Sequence, residues 1–207
     1  MRQPPEIIRD FLSDEDFPKF ALGAMSYPHY SPCAFTASQE EDDGSMWTFG
    51  ENLKSVDGTK LEETMFQAVL FNRNQFLRTD FYELNYYFIK KFTKMLNVKK
   101  WWIIRINATM GHTKPYVGAF HNDFCITDSS GNLLKETSKM PDIYKKCKTA
   151  IYYLNTNNGG TQFEDGPFVQ SKANTLVRFP TSYSHAGVWC TNAKLRFAVN
   201  MNYEENE

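Results

Sequence analysis

Apolar and polar positions alternate from Leu195 to Tyr203. Leu195, Phe197, Val199, Met201 and Tyr203 fall on one side of an extended chain, and Arg196, Ala198 and Asn200 on the other. The run predicts a strand with one face in a core and a polar face carrying an arginine. Shorter strand-like runs precede it at Trp101 to Asn107, Tyr116 to Asp123, Thr149 to Asn155, Thr161 to Phe163 and Thr175 to Phe179. Turn signals separate them at Met110-Gly111, Asn157-Asn158-Gly159-Gly160 and Asp165-Gly166. Upstream the period changes. Thr59 with Glu62, and Asp80 with Glu83, have the spacing of a capping box. The first precedes Leu61, Met65, Phe66, Val69 and Leu70, the second Phe81, Leu84, Phe88, Phe92 and Met95, both at helical spacing. Two amphipathic helices are predicted, their apolar stripes on the back of a sheet.

At the amino terminus Glu6 to Leu12 reads as a short strand running into a helix. Ser13 is its expected N-cap, with Asp16 at N3 and Leu12 and Phe17 as a hydrophobic staple. Pro18 leaves open a later start, with Phe17 as the cap and Pro18 at N1. Helices followed by several short strands predict a mainly β domain with α, a double-sheet roll with helices on one side. A single domain is expected, with residues 1–98 as an N-terminal helical support region and 99–203 as the β core. Residues 23–58 and 125–148 are less regular and read either as covers over a pocket or as surface excursions.

Charge narrows the partners. Lys and Arg number 23 against 24 Asp and Glu, so no net field draws the chain to nucleic acid or an anionic membrane. Lys90, Lys91, Lys94, Lys99 and Lys100 read as a solvated helix face and end. The four cysteines, Cys33, Cys125, Cys147 and Cys190, form no C-x-x-C and read as reduced thiols. With no leader-like start and no membrane-length apolar run, a soluble cytoplasmic protein is expected, monomeric or homodimeric.

The candidate chemistry lies between His121-Asn122-Asp123 and His185. An H-x-D pair on one strand points both side chains the same way, and His185, folded back opposite, completes two imidazoles and one carboxylate. That donor set suits non-haem iron. An H-x-D alone is a weak signal, because chance produces it often. Arg196, downstream on the polar face of the last strand, strengthens it, since a guanidinium there can clamp a carboxylate with two parallel hydrogen bonds. Lys194, on the same face, competes for that role. Asn122 should face away from the metal, and His29 and His112 read as ordinary loop or surface histidines.

Taken in order, His121-Asn122-Asp123, Ala150 to Asn155 with Gly159 to Phe163, His185, and Arg196 to Asn200 resemble the Fe(II)- and 2-oxoglutarate-dependent oxygenases, in their prolyl 4-hydroxylase-like branch. The resemblance covers about residues 100–203 and extends to short members from marine viruses and bacteria; a viral origin would place the protein in the host cytoplasm. It implies a distorted double-stranded β-helix, or jelly roll. His121, Asp123 and His185 would be the catalytic iron ligands. Arg196 would bind the distal carboxylate of 2-oxoglutarate, Tyr153 would share it, and Asn107 would face the other end of the co-substrate. The implied activity is a dioxygenase reaction using Fe(II), 2-oxoglutarate and dioxygen, with ascorbate an optional reductant. An unactivated C–H bond is hydroxylated, proline in a peptide or protein being the first candidate. A free amino acid, small metabolite or nucleobase is the alternative substrate, and a non-catalytic cupin-like metal-binding module the alternative function.

Overall fold

A computed structural model describes residues 3–25, 47–49, 65–72, 75–76, 82–123 and 146–207. In chain order the elements are β1 (Glu6–Arg9), α1 (Asp16–Met25), β2 (Trp47–Phe49), β3 (Met65–Asn72), β4 (Gln75–Phe76), α2 (Tyr82–Met95), β5 (Val98–Met110), β6 (Tyr116–Val117) and β7 (Cys147–Tyr153), followed by β8 (Gly160–Phe163), β9 (Phe168–Gln170), β10 (Thr175–Pro180), β11 (His185–Trp189) and β12 (Leu195–Glu205). The alternating run of the sequence is β12, and it lies at the middle of the larger sheet, ordered β1-β10-β7-β12-β5-β3-β2, with β4 paired to β3. A second sheet is ordered β6-β11-β8-β9. Every strand pair in both sheets is antiparallel. This is the expected jelly roll.

The two faces of the larger sheet carry different cores, as a period of two requires. Val199, Met201 and Tyr203 of β12, Ile104 and Ile106 of β5 and Tyr152 of β7 pack outward with Phe20 of α1 and Phe88 and Phe92 of α2. Between the sheets, Ile151, Tyr153, Val177, Phe179 and Ala198 meet Phe163 and Val169 of the smaller sheet. Tyr152 is the hub of the outer core, its ring 5.6 Å from Phe11, 6.0 Å from Phe20 and 5.7 Å from Phe92.

Ser13 caps α1 as its spacing predicts. Its Oγ accepts the Asp16 N–H at 3.2 Å and donates to Asp16 Oδ2 at 2.9 Å, while its carbonyl accepts the Phe17 N–H at 2.9 Å. Asp16 then pairs with Lys91, tying α1 to α2. Most of the predicted lysine face is engaged in similar surface contacts, with Lys99 bound to Glu204 and Lys90 and Lys100 lying over Tyr86 and Trp102.

The first predicted helix is not there. Met65–Asn72, which carries four of its five stripe residues, is strand β3, paired along β5 from Met65 opposite Thr109 to Asn72 opposite Ile103. A short apolar run satisfies either period, and pairing with the long β5 decides for the strand. Its capping residues Thr59 and Glu62 lie outside the described residues, as do Asp80, His29, Cys33, Cys125, residues 26–46 and 50–58 of the first irregular stretch, and 125–145 of the expected insertion. The insertion's last two residues, Cys147 and Lys148, already belong to β7. In α2 the expected stripe holds at Phe88 and Phe92, but Met95 is exposed and Leu96 is buried in its place. Cys147 and Cys190 are buried free thiols. Strands β9 and β11 were not among the predicted runs. No helix among the described residues is long and apolar enough to cross a membrane.

One buried amide fastens the amino-terminal segment to the roll. Asn174, held at φ 58°, accepts the Leu12 N–H (2.9 Å) and the Tyr152 hydroxyl (2.7 Å) on Oδ1 and donates from Nδ2 to Leu12 O (2.8 Å). Asn174→Ala strands these groups and places a side chain that dislikes positive φ there. It should lower stability by about 3 kcal/mol in urea unfolding. Asn174→Gly, which relieves only the backbone, should recover less than half of that loss.

Candidate active site

His121 follows β6 by four residues, where the chain meets β11 at an isolated bridge. The His121 N–H donates to His185 O and the His185 N–H to His121 O, each at 3.0 Å. The two imidazoles therefore leave paired backbones, with ring centroids 4.8 Å apart. Nδ1 of His121 faces Ala119 O and Nδ1 of His185 faces Tyr183 O, both at 3.0 Å. A carbonyl can only accept, so each Nδ1 carries the proton and each Nε2 keeps its lone pair.

Asp123 Oδ1 stands 3.9 Å from His121 Nε2 and 3.8 Å from His185 Nε2, and the ligand atoms of the three residues all lie within 4.8 Å of one another. Two nitrogens and an oxygen so disposed fit one first-row ion, which holds such donors at about 2.0–2.2 Å after small side-chain rotations. The expected H-x-D geometry differs in one respect. His121 and Asp123 lie beyond β6 rather than within a regular strand, and Asn122 between them borders the same cavity, its Oδ1 buried and without a donor among the described residues.

The carboxylate is held by residues whose role the sequence does not announce. Thr149 of β7 and Asn202 of β12 are direct partners across the sheet. Thr149 Oγ1 and Asn202 Nδ2 both donate to Asp123 Oδ2 at 2.8 Å, and Asn202 Nδ2 also lies 3.0 Å from Thr149 Oγ1. Arg105 Nη2 reaches Oδ1 at 3.4 Å. Burial pushes the Asp123 carboxyl up, but the neighbouring His185 and Arg105 and the Asn202 amide outweigh it and hold the group at about 2. Oδ2 is thus occupied by protein, and Oδ1 is presented to the imidazoles. Burial also lowers the pKa of His185, favouring the neutral ring a metal needs.

The three residues sit in a cavity of about 340 Å³ whose wall includes Asn107, Thr109, Thr161, Arg196 and Asn200. Arg196 is 6% exposed, and burial works against its charge. Its guanidinium carbon lies 5.5 Å from the Tyr153 ring centre, and its Nε is buried without a partner. No carboxylate of the described residues pairs with it. Lys194, the competitor, is exposed in the turn before β12. Asn155 fixes the backbone on both sides of Arg196: its Nδ2 donates to Leu195 O at 2.8 Å and its Oδ1 accepts the Phe197 N–H at 2.9 Å. Tyr153 is fully buried behind Arg196 and donates its hydroxyl to Thr161 Oγ1 at 2.8 Å, so Thr161 forms the cavity wall at that point. His112 turns its Nδ1 to the Lys114 backbone, 3.2 Å from Lys114 O, apart from the triad.

Solved structures share this architecture from end to end. A prolyl hydroxylase from Trichoplax adhaerens, in complex with a hypoxia inducible factor oxygen degradation domain peptide fragment, matches with a TM-score of 0.54 at 11% identity, covering 98% of this chain and 84% of that one. A viral collagen prolyl hydroxylase from Paramecium Bursaria Chlorella virus-1, in its 2OG complex, matches with a TM-score of 0.52 at 14% identity, over 98% and 97% of the two chains. The chain has the fold of the 2-oxoglutarate-dependent oxygenases. The non-heme alpha ketoglutarate dependent epimerase SnoN from nogalamycin biosynthesis shares it too, with a TM-score of 0.60 at 11% identity over 99% and 78% of the chains. No protein-family model and no curated protein matches the sequence. At these identities the common property is the fold, and the chemistry rests on this chain's own residues.

Those residues make the Thr149–Asn202 pair testable. Thr149→Val and Asn202→Leu each remove one of the two donors to Oδ2, and should weaken binding of Fe(II) or Co(II) by about 10- to 100-fold in anaerobic calorimetric titration. Circular dichroism should show the β signal retained in both variants.

Proposed function

We propose that this chain is an Fe(II)- and 2-oxoglutarate-dependent dioxygenase that hydroxylates an unactivated C–H bond, with a peptidyl residue, proline first, as its target. The observation that carries the reading is one cavity with two complementary ends. Two imidazole Nε2 lone pairs and one carboxylate oxygen converge at the first, and a buried arginine without a carboxylate partner among the described residues stands in the wall. A purely structural metal has no use for that arginine. Residues 99–203 act in this reading as the catalytic core and 1–98 as its support.

His121, Asp123 and His185 would hold Fe(II) on one face, leaving positions for co-substrate and dioxygen. When bound, iron with 2-oxoglutarate supplies the oxidising chemistry, placing one oxygen of dioxygen in the C–H bond as 2-oxoglutarate becomes succinate and carbon dioxide. The chain's own part is orientation. Arg196 would take the distal carboxylate through parallel N–H bonds, with Tyr153 behind it favouring the charge. Asn107, two residues from Thr109 on the same inward face of β5, would stand along the co-substrate. His121 is the exposed member of the triad, with 42% of its side chain accessible, and substrate would approach from that side. The prolyl hydroxylases among the structural neighbours support a peptide target. The alternative, a free amino acid or other small molecule, is favoured by a second cation in the cavity wall, Arg105.

Anaerobic titration of the purified apoprotein with Fe(II) and then 2-oxoglutarate should develop the weak visible charge-transfer band of the chelate. His121→Ala should abolish it. Arg196→Ala should raise the 2-oxoglutarate concentration needed by at least about tenfold, the loss expected for a charge-assisted pair. Lys194→Ala should change neither. Metal binding by the wild type with no band on adding 2-oxoglutarate would replace the oxygenase with a metal-binding module.

A further inference from the structure

Arg105 of β5 shares the cavity with the triad and with Arg196, but its position suits a different task. Its partner is Asp123 Oδ1, reached by Nη2 alone at a long 3.4 Å, and its Nε is buried with nothing to donate to. A donor kept from water requires an acceptor, and Nε has none among the described residues, while the rest of this half-buried guanidinium is open to the cavity. The contact weakens further once Oδ1 is given to a metal, because it is the oxygen that faces both imidazoles.

Strand register separates the two arginines. Arg105 lies opposite Asn200, and Arg196 opposite Thr109. Four residues of β12 between Arg196 and Asn200 span about 13 Å, so the carboxylate that Arg196 would hold is not shared with Arg105. Charge points the same way. A divalent metal, a dianionic co-substrate, Asp123 and Arg196 would cancel, and imidazoles that bind a metal through Nε2 add no charge, which would leave Arg105 without a counterpart among the described residues of the wall. Asn200 and Asn122 stand in the same wall, and the Oδ1 of each is buried without a donor among the described residues. An oxyanion beside N–H groups would answer both needs.

We propose that Arg105 is a specificity residue which anchors a carboxylate of the substrate at the metal end of the cavity. The inference rests on the oxygenase reading and deepens it. Two sources carry this chemistry: the α-carboxylate of a free amino acid, and an acidic side chain next to the target residue of a peptide. In either case the anchored carboxylate fixes which carbon of the substrate stands before the metal.

The test uses the wild-type protein holding Fe(II) and 2-oxoglutarate without dioxygen, titrated calorimetrically with two matched pairs. L-proline is compared with L-prolinamide, and a proline peptide with Glu next to the proline is compared with the same peptide carrying Gln. The carboxylate member of one pair should bind at least about tenfold more tightly, and the pair that discriminates identifies the source. Arg105→Gln, read at Fe(II) and 2-oxoglutarate concentrations that develop its chelate band in full, should bring that pair to within about twofold, and Arg105→Lys should restore part of the preference. Equal affinity within both pairs overturns the proposal, absence of binding by all four probes included. So does a preference that survives in Arg105→Gln. A missing chelate band in the wild type removes the oxygenase reading and this one with it, whereas a band without carboxylate preference removes this one alone.

Discussion

Asp123 has no exposed side-chain surface and holds a full negative charge, which makes it the most demanding group among the described residues. An ionised carboxylate survives such burial only where donors and cations surround it. Thr149 and Asn202 supply the donors and Arg105 the cation, from strands β7, β12 and β5. The arrangement depends on register. Thr149 and Asn202 are cross-strand partners, and a slip of one residue would turn Asn202 out of the roll and bring Tyr203 in. What forbids the slip is the opposite face of the same strands, where Val199, Met201 and Tyr203 are buried in the outer core with Phe88 and Phe92. The hydrophobic layer under the helices and the polar site inside the roll are two consequences of one alternation.

The same economy places the other groups. His121 and His185 exchange backbone hydrogen bonds, so the two rings cannot drift apart without breaking the bridge between their strands. Arg196 is fixed from behind by Tyr153 and along its backbone by Asn155, which binds the residue on either side of it. Thr149 and Asn202 hold Asp123, and Tyr153 and Asn155 hold Arg196, while the two histidines hold each other through their backbones. Such pre-organisation gives a metal or carboxylate its geometry before it arrives.

Much of this was legible in the sequence, for physical reasons that differ by element. β12 announces itself because one of its faces is apolar without exception and the other is not, and the H-x-D with a distant His is a compact signal. The helix expected at Leu61 to Leu70 failed because a run as short as Met65–Asn72 fits either period, and only its pairing with β5 makes it a strand. β11 was missed for a related reason: His185-Ala-Gly-Val-Trp189 buries residues on both faces and shows no alternation. Thr149 and Asn202 were out of reach altogether. They lie 26 and 79 residues from Asp123, and nothing local marks a threonine or asparagine as the partner of a carboxylate so far away. Strand geometry alone does not place Asn122, since the chain at that point has already left the strand.

A fold that carries prolyl hydroxylases and an epimerase among its solved members does not choose a substrate. The choice has to lie in side chains that vary around a common frame, and the register of β5 and β12 divides them into two sets. Arg196, Thr109 and Thr161 occupy one end of the cavity, where the oxygenase reading puts a co-substrate common to all such enzymes. Arg105, Asn200 and Asn122 occupy the other, beside His121, Asp123 and His185, and there Arg105 Nε and the two asparagine Oδ1 atoms are buried without partners among the described residues. Unpaired polar atoms next to a reaction centre are costly in the empty protein, and the cost is recovered only by a ligand that matches them. A neutral, apolar group would leave the cost in place, so discrimination against it is built into the wall.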